Sequence, residues 1–193
     1  MALTTTPPGT LNLPAPDFLL PGADGRDWSL QQCRGPRGTL VMFICNHCPY
    51  VQAIQEHLVC DTTDLLALGV NSVAIMPNDT ASYPDDDLEH MRAVARRMRY
   101  PFPYLIDESQ QVAKAYGAVC TPDFFGYNAE LKLQFRGRLN AITPGRPATG
   151  GMARELFEAM GKIGETGIGP EQQTPSIGCS IKWRGDSAKS HKP

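Results

Sequence analysis

The thirteen residues TLVMFICNHCPYV (39–51) contain the switch from one backbone periodicity to another. Thr39 to Ile44 is a continuous apolar run with Gly38 before it and Cys45 after it. Its shortness and β-branched content predict a strand buried on both faces rather than a helix. From Pro49 onward, Val51, Ile54, Leu58 and Val59 recur at helical spacing, and Pro is tolerated in a first helical turn. Cys45-Asn46-His47-Cys48 therefore falls where a buried strand ends and a helix begins.

That position has chemical consequences. A thiolate at a helix N-terminus is stabilised by unpaired backbone N–H groups and the positive end of the macrodipole. Only the thiolate attacks a disulfide, so a depressed pKa raises the reactive fraction. The spacing assigns attack to Cys45 and resolution to Cys48, one turn into the helix. His47 between them would stabilise the Cys45 thiolate and make the disulfide more oxidising. A Cys45 pKa clearly below that of a free thiol is the expected result. The same residues leave open a zinc or copper half-site, completed by His47, Cys120 or Cys179. A second CxxC or a spaced His pair would favour that reading, and the sequence has neither.

Working outward, APDFLLPGADGRDWSL places two short extended segments around Gly22-Ala23-Asp24-Gly25, a hairpin signal. Asn71 to Met76 predicts a second buried strand. Asp85, Asp86 and Asp87 suit the N-terminus of a helix over Leu88 to Met98. Tyr104 to Ile106 predicts a short strand, and Ser109 to Tyr116 a short helix stopped by Gly117. Asp123 to Tyr127 and Leu131 to Arg136 predict a hairpin, and Met152 to Ile163 a last amphipathic helix. Strands alternating with helices, closed by a hairpin, imply a three-layer α/β/α domain with a mixed central sheet. Residues 11–165 form that domain. Residues 1–10, polar and Pro-rich, are expected to be disordered. Residues 166–193 form a Gly/Pro-rich tail with one docking patch at 177–183.

The chain has 193 residues, 41% hydrophobic and 20% charged, with net charge −2. These values suit one globular domain and give no basic run for nucleic acid or anionic membrane as principal partner. The longest apolar run, Leu40 to Cys45, is far too short to span a bilayer. The first residues carry neither the basic nor the apolar segment of a signal peptide, so the expected address is cytoplasmic. Six cysteines in such a chain point to redox or metal chemistry rather than a disulfide framework.

Several stretches together resemble a known group. APDFLLPGADGRDWSL resembles the opening segment of the redoxin superfamily, which holds peroxiredoxins and thioredoxin-like reductases. FICNHCPYV, YPDD, AVCTPDFFGY and PSIGCSIKW resemble a bacterial branch of thioredoxin-family proteins. The resemblance spans roughly residues 12–183 and implies a thioredoxin fold with an N-terminal β-hairpin and a C-terminal tail. It also implies a cis-proline loop at Thr121-Pro122 opposite the redox pair, whose backbone would receive a substrate strand. Asn46 and Tyr50 would line the substrate groove. Two features depart from thioredoxin: Ile44 replaces the tryptophan before the redox pair, and Thr39 to Ile44 lacks a buried acid. Proton transfer would then fall to Asp79 or water.

The resemblance to peroxiredoxins also has departures. If Cys48 were the peroxidatic residue, Cys45 would stand at the Thr position and Val41 at the Pro position, with Arg136 or Arg138 as the available cation. Cys120 and Cys179 are candidate additional redox thiols, with burial as the plainer account of each; Cys33 and Cys60 read as structural or incidental. The function expected is thiol–disulfide exchange by Cys45, Cys48, His47 and Pro122, without a cofactor. The partners would be a protein or small-molecule disulfide and a cellular thiol reductant. A thiol-dependent peroxidase and a copper- or zinc-binding module are the alternatives.

Overall fold

The structure, a computed structural model, describes residues 3–146 and 151–185. In chain order it begins with β1 (Leu3–Thr5), followed by β2 (Leu19–Pro21) and β3 (Asp27–Ser29), which pair as the antiparallel hairpin anticipated around Gly22 to Gly25. Ser29 then caps a one-turn helix, α1 (Leu30–Cys33), that the sequence pattern is too short to reveal. The Ser29 hydroxyl accepts from the Gln32 N–H while the Gln32 side chain accepts from the Ser29 N–H, a reciprocal capping box. Next come β4 (Gly38–Phe43), α2 (Pro49–Ala67), β5 (Val70–Met76), a 3-10 turn (Pro84–Asp86) and α3 (Leu88–Met98). The chain continues with β6 (Tyr104–Ile106), α4 (Gln111–Tyr116), β7 (Cys120–Thr121), β8 (Asp123–Asn128), β9 (Leu133–Arg136), α5 (Glu155–Thr166) and β10 (Ile177–Ser180).

The central sheet has five strands in the order β6-β5-β4-β8-β9. β4, β5 and β6 run parallel, while β8 and β9 are antiparallel, so the sheet is mixed. Every residue of β4 is buried, as its unbroken apolar run requires. Leu40, Met42 and Ile44 join α2, α3 and α5 in one apolar cluster; Val41 and Phe43 join α1, α4 and the β2 region in the other. Alternate side chains of one strand thus hold two helical layers, each fully buried apolar side chain contributing roughly 1.5–3 kcal/mol. This is the three-layer thioredoxin arrangement. Among the described residues no helix is long and apolar enough to cross a membrane.

The ends of the chain differ from their sequence reading. Residues 1–2 and 186–193 lie outside the described residues. From Leu3, however, the segment expected to be disordered is strand: Leu3, Thr4 and Thr5 pair with Cys179, Gly178 and Ile177 of β10. The Thr6 N–H donates to the Ser176 carbonyl at 2.9 Å, and the Thr6 hydroxyl accepts from the Ser176 N–H at 3.0 Å. A polar, Pro-rich composition cannot announce a partner 170 residues downstream. β10 also pairs with β7, giving a second sheet in the order β1-β10-β7. The tail is therefore an integral part of the domain up to Ser180, with Trp183 packed on the second apolar cluster.

Candidate active site

α2 begins at Pro49, and Cys48 is its N-cap residue. The unpaired amides of the first turn therefore reach Cys48, three residues beyond Cys45. Once ionised, the Cys48 sulfur has the Cys45 and Cys179 thiols and the backbone N–H groups of Val51 and Cys179 around it as prospective donors. Hydrogen bonds to a thiolate favour it, the one from Cys45 most strongly, and together they outweigh the burial that opposes it, so the Cys48 pKa is lowered to about 5. The Thr121 carbonyl, 3.1 Å away, accepts from the protonated form. Cys45 goes the other way. Donating to Cys48 pushes its pKa well above the usual thiol value, and burial and the negative charge of Asp86 add to that. A contact of 3.2 Å between its sulfur and the Thr121 hydroxyl only partly offsets these effects. The sequence assigns the depressed pKa to Cys45; α2 starts at Pro49, so the N-cap position falls to Cys48, and the two thiols titrate as a pair rather than singly.

His47 faces Asp86. Its Nδ1 lies 2.7 Å from Asp86 Oδ2, and the ring stacks on Tyr83 with centroids 5.4 Å apart and planes 8° from parallel. The neighbouring carboxylate raises the His47 pKa. Among the described residues neither ring nitrogen has a hydrogen-bond partner in alignment, although both are buried. Asp86 is fully buried and held by donors on both oxygens: the Asn46 N–H on Oδ1 and the Asn78 amide on Oδ2, each at 2.7 Å. The three consecutive aspartates thus do three things. Asp87 accepts from the His90 N–H as the N-cap of α3, Asp86 turns inward to His47, and the Asp85 carbonyl accepts from the Asn46 side chain. Asp79, the proton acceptor considered from sequence, accepts instead from Ser82 within its own turn. The Asn46 side chain links two elements: its amide N–H donates to the Asp85 carbonyl and its oxygen accepts from the Tyr104 hydroxyl.

Thr121–Pro122 is a cis peptide, as the resemblance implies. The loop's free edge, however, is covered by the chain itself. Cys179 pairs with Thr121 and Ser180 with Cys120, so β10 lies where a substrate strand is anticipated. The fit is tight: a Cβ on Gly178 would come within 3.0 Å of Pro122 Cδ and closer still to the Thr121 carbonyl. With that strand in place Cys45 is 2% exposed and Cys48 0%. Tyr50 and Pro122 line a neighbouring cavity of about 190 Å³, together with Ile54, Phe124, Arg138 and Ile177.

The other candidates separate cleanly. Burial pushes the Cys179 thiol up to about 12, with its hydrogen bond to Cys48 adding to the effect. Cys120 is fully buried, and burial raises its pKa, which suits a small apolar packing residue. Cys33 is buried and Cys60 exposed. Arg136 forms a buried pair with Asp123 at 2.9 Å and Arg138 pairs with Glu155, so neither cation is directed at the thiols. Cys45, His47 and Asp86 bring a sulfur, a ring nitrogen and a carboxylate oxygen within 4.8 Å of one another.

The sequence profile of the AhpC/TSA family matches residues 11–141, a span that includes Cys45 and Cys48, the Asp86 loop and the cis-proline. The chain belongs to the AhpC/TSA family. This AhpC/TSA-family chain is similar along nearly its whole length to an uncharacterised conserved protein from Geobacillus kaustophilus: 43% identity, 96% of this chain and 98% of that one covered, TM-score 0.89. Two solved structures at 15% identity show the shared fold. They are the thioredoxin domain of a thiol-disulfide oxidoreductase from Bacteroides vulgatus (67% and 89% covered, TM-score 0.56) and the peroxidoxin BcpB from Mycobacterium tuberculosis (83% and 98% covered, TM-score 0.57). Comparison with curated proteins finds no significant match.

Within this AhpC/TSA-family site, sequence reasoning missed Asp86 and the strand over the cis-proline loop. Asp86 sits inside YPDD, a stretch that carries the resemblance, but a helix-capping acidic run explained it adequately. Cys179 was visible as a buried residue of the 177–183 docking patch and a candidate thiol, not as the residue registered against Thr121.

Proposed function

We propose that this redoxin is a thiol–disulfide oxidoreductase that cycles Cys45 and Cys48 between dithiol and disulfide, with Cys48 as the attacking thiolate. The observation that carries this reading is the position of Cys48 as the N-cap residue of α2, buried with Cys45 against the cis-proline loop, its sulfur 3.1 Å from the Thr121 carbonyl. The Cys48 thiolate attacks one sulfur of a substrate disulfide, forming a mixed disulfide and breaking the substrate S–S bond. The first substrate thiolate leaves and takes a proton. Cys45 then loses its proton and attacks the Cys48 sulfur, closing the Cys45–Cys48 bond and expelling the second substrate thiolate. Two electrons pass to the substrate, and a cellular thiol reductant returns the pair to the dithiol. Pro122 and Thr121 hold the wall opposite the sulfurs.

Equilibration with glutathione buffers and thiol trapping test this, with peroxide turnover measured on the same sample. A defined two-electron potential, lost in both Cys45→Ser and Cys48→Ser, supports the exchange reading. Mixed disulfide accumulating on Cys48 in Cys45→Ser supports the order of attack; accumulation on Cys45 in Cys48→Ser would reverse it. A peroxidase is the second reading, favoured by Cys48-Pro49 opening α2. Engagement of Arg136 by Asp123 weighs against it, because that guanidinium is committed to a carboxylate rather than to the thiolate. Fast peroxide consumption driven by a thiol donor would decide for it.

A further inference from the structure

We propose that the reduced site is also a zinc site, in which Cys45 Sγ, a ring nitrogen of His47 and a carboxylate oxygen of Asp86 hold one divalent cation. The three ligand atoms already lie within 4.8 Å of one another, on β4's exit, the loop before α2 and the 3-10 turn. Ligands about 2.0–2.3 Å from a tetrahedral ion stand roughly 3.3–3.8 Å apart, so small side-chain adjustments complete the set. A second observation points the same way. Both His47 ring nitrogens are buried without an aligned hydrogen-bond partner among the described residues, even though Nδ1 is 2.7 Å from Asp86 Oδ2. Two groups that approach closely without pointing at each other suit a common third partner.

The surroundings are those of a ligating carboxylate and imidazole. Asn46 N–H and the Asn78 amide fix the orientation of Asp86, and Tyr83 fixes the plane of His47; outer-shell contacts of this kind orient metal ligands. A mixed sulfur, nitrogen and oxygen set suits zinc rather than a hard cation such as magnesium or calcium. Charge selects a divalent ion: one thiolate and one carboxylate neutralise it, which a site buried under β10 requires. Cys48, the hydrogen-bond partner of Cys45, is the nearest further sulfur donor. An ion on Cys45 removes that thiol from disulfide exchange, so zinc occupancy and oxidation exclude one another.

The test is a titration of the reduced, full-length protein with Co²⁺ as a spectroscopic stand-in, followed by displacement with Zn²⁺. One equivalent should bind with a thiolate-to-cobalt charge-transfer band. Cys45→Ser should abolish the band, and His47→Gln and Asp86→Asn should each weaken binding at least tenfold. Cys60→Ser, on an exposed cysteine, should bind as the parent does. Should Asp86→Asn fail to fold by near-ultraviolet circular dichroism, His47→Gln carries the comparison alone. Absence of the band in the folded, reduced parent overturns the proposal. So does unchanged affinity in His47→Gln, which would leave only adventitious binding to the cysteines. The glutathione potential is read without metal, so failure here is distinguishable from failure of the exchange reading.

Discussion

Cys48 depends for its acidity on donors that single substitutions can remove one at a time. Reduced protein should show one thiolate, detected by ultraviolet absorbance, that persists well below the ordinary thiol range. Cys48→Ser should eliminate it, while Cys45→Ala should retain it with a higher midpoint, because the Cys45 S–H that supports it is gone. A thiolate that vanishes in Cys45→Ala and survives in Cys48→Ser would restore the reverse order. His47 supplies a second test through pH. Its folded pKa is raised above 6.5 by Asp86, so its contribution to stability is complete below that value and is lost as pH rises through the folded value. The stability difference between the parent and His47→Gln, measured by urea unfolding, should therefore shrink from acid toward alkaline pH. The cysteine pair and the cis-proline were legible in the sequence because each is a local signal: a fixed spacing, or one residue type that alone permits the backbone. Asp86 was not, since three adjacent aspartates look alike until the fold turns one of them inward.

Among the elements, β4, β5, β6, α2 and α3 could be read directly, because a buried strand or an amphipathic helix records its surroundings in its own periodicity. The second sheet could not. β7, β1 and β10 are two, three and four residues long, and their pairing joins distant parts of the chain, which no local pattern records. What marks β10 is a glycine. Gly178→Ala should push the strand off the Thr121 carbonyl, costing about 1–3 kcal/mol as an overpacked contact. The diagnostic readout is alkylation of the reduced site. Iodoacetamide should modify Cys48 at least tenfold faster in Gly178→Ala, at a protein concentration and temperature where circular dichroism shows the central sheet intact. An unchanged rate would mean that β10 does not limit access.

For the molecule as a whole, the resting structure and the proposed chemistry make opposite demands, since the sulfurs are buried and a substrate has to meet them. A local opening of the β1-β10-β7 sheet resolves this, with the five-stranded core left closed. Such an opening has a lower free energy than global unfolding when few contacts hold the segment. Hydrogen exchange should therefore find the β10 amides exchanging much faster than those of β4 and β5, with rates insensitive to low denaturant. Equal protection in both sheets would require the whole domain to open before reaction. The same arrangement has a meaning for biosynthesis. The wall over the thiols is made from β1 and β10, and β10 follows every other described element of the domain in chain order. A nascent polypeptide therefore presents its cysteine pair unshielded until β10 has left the ribosome, and only then can the molecule cover its own sulfurs.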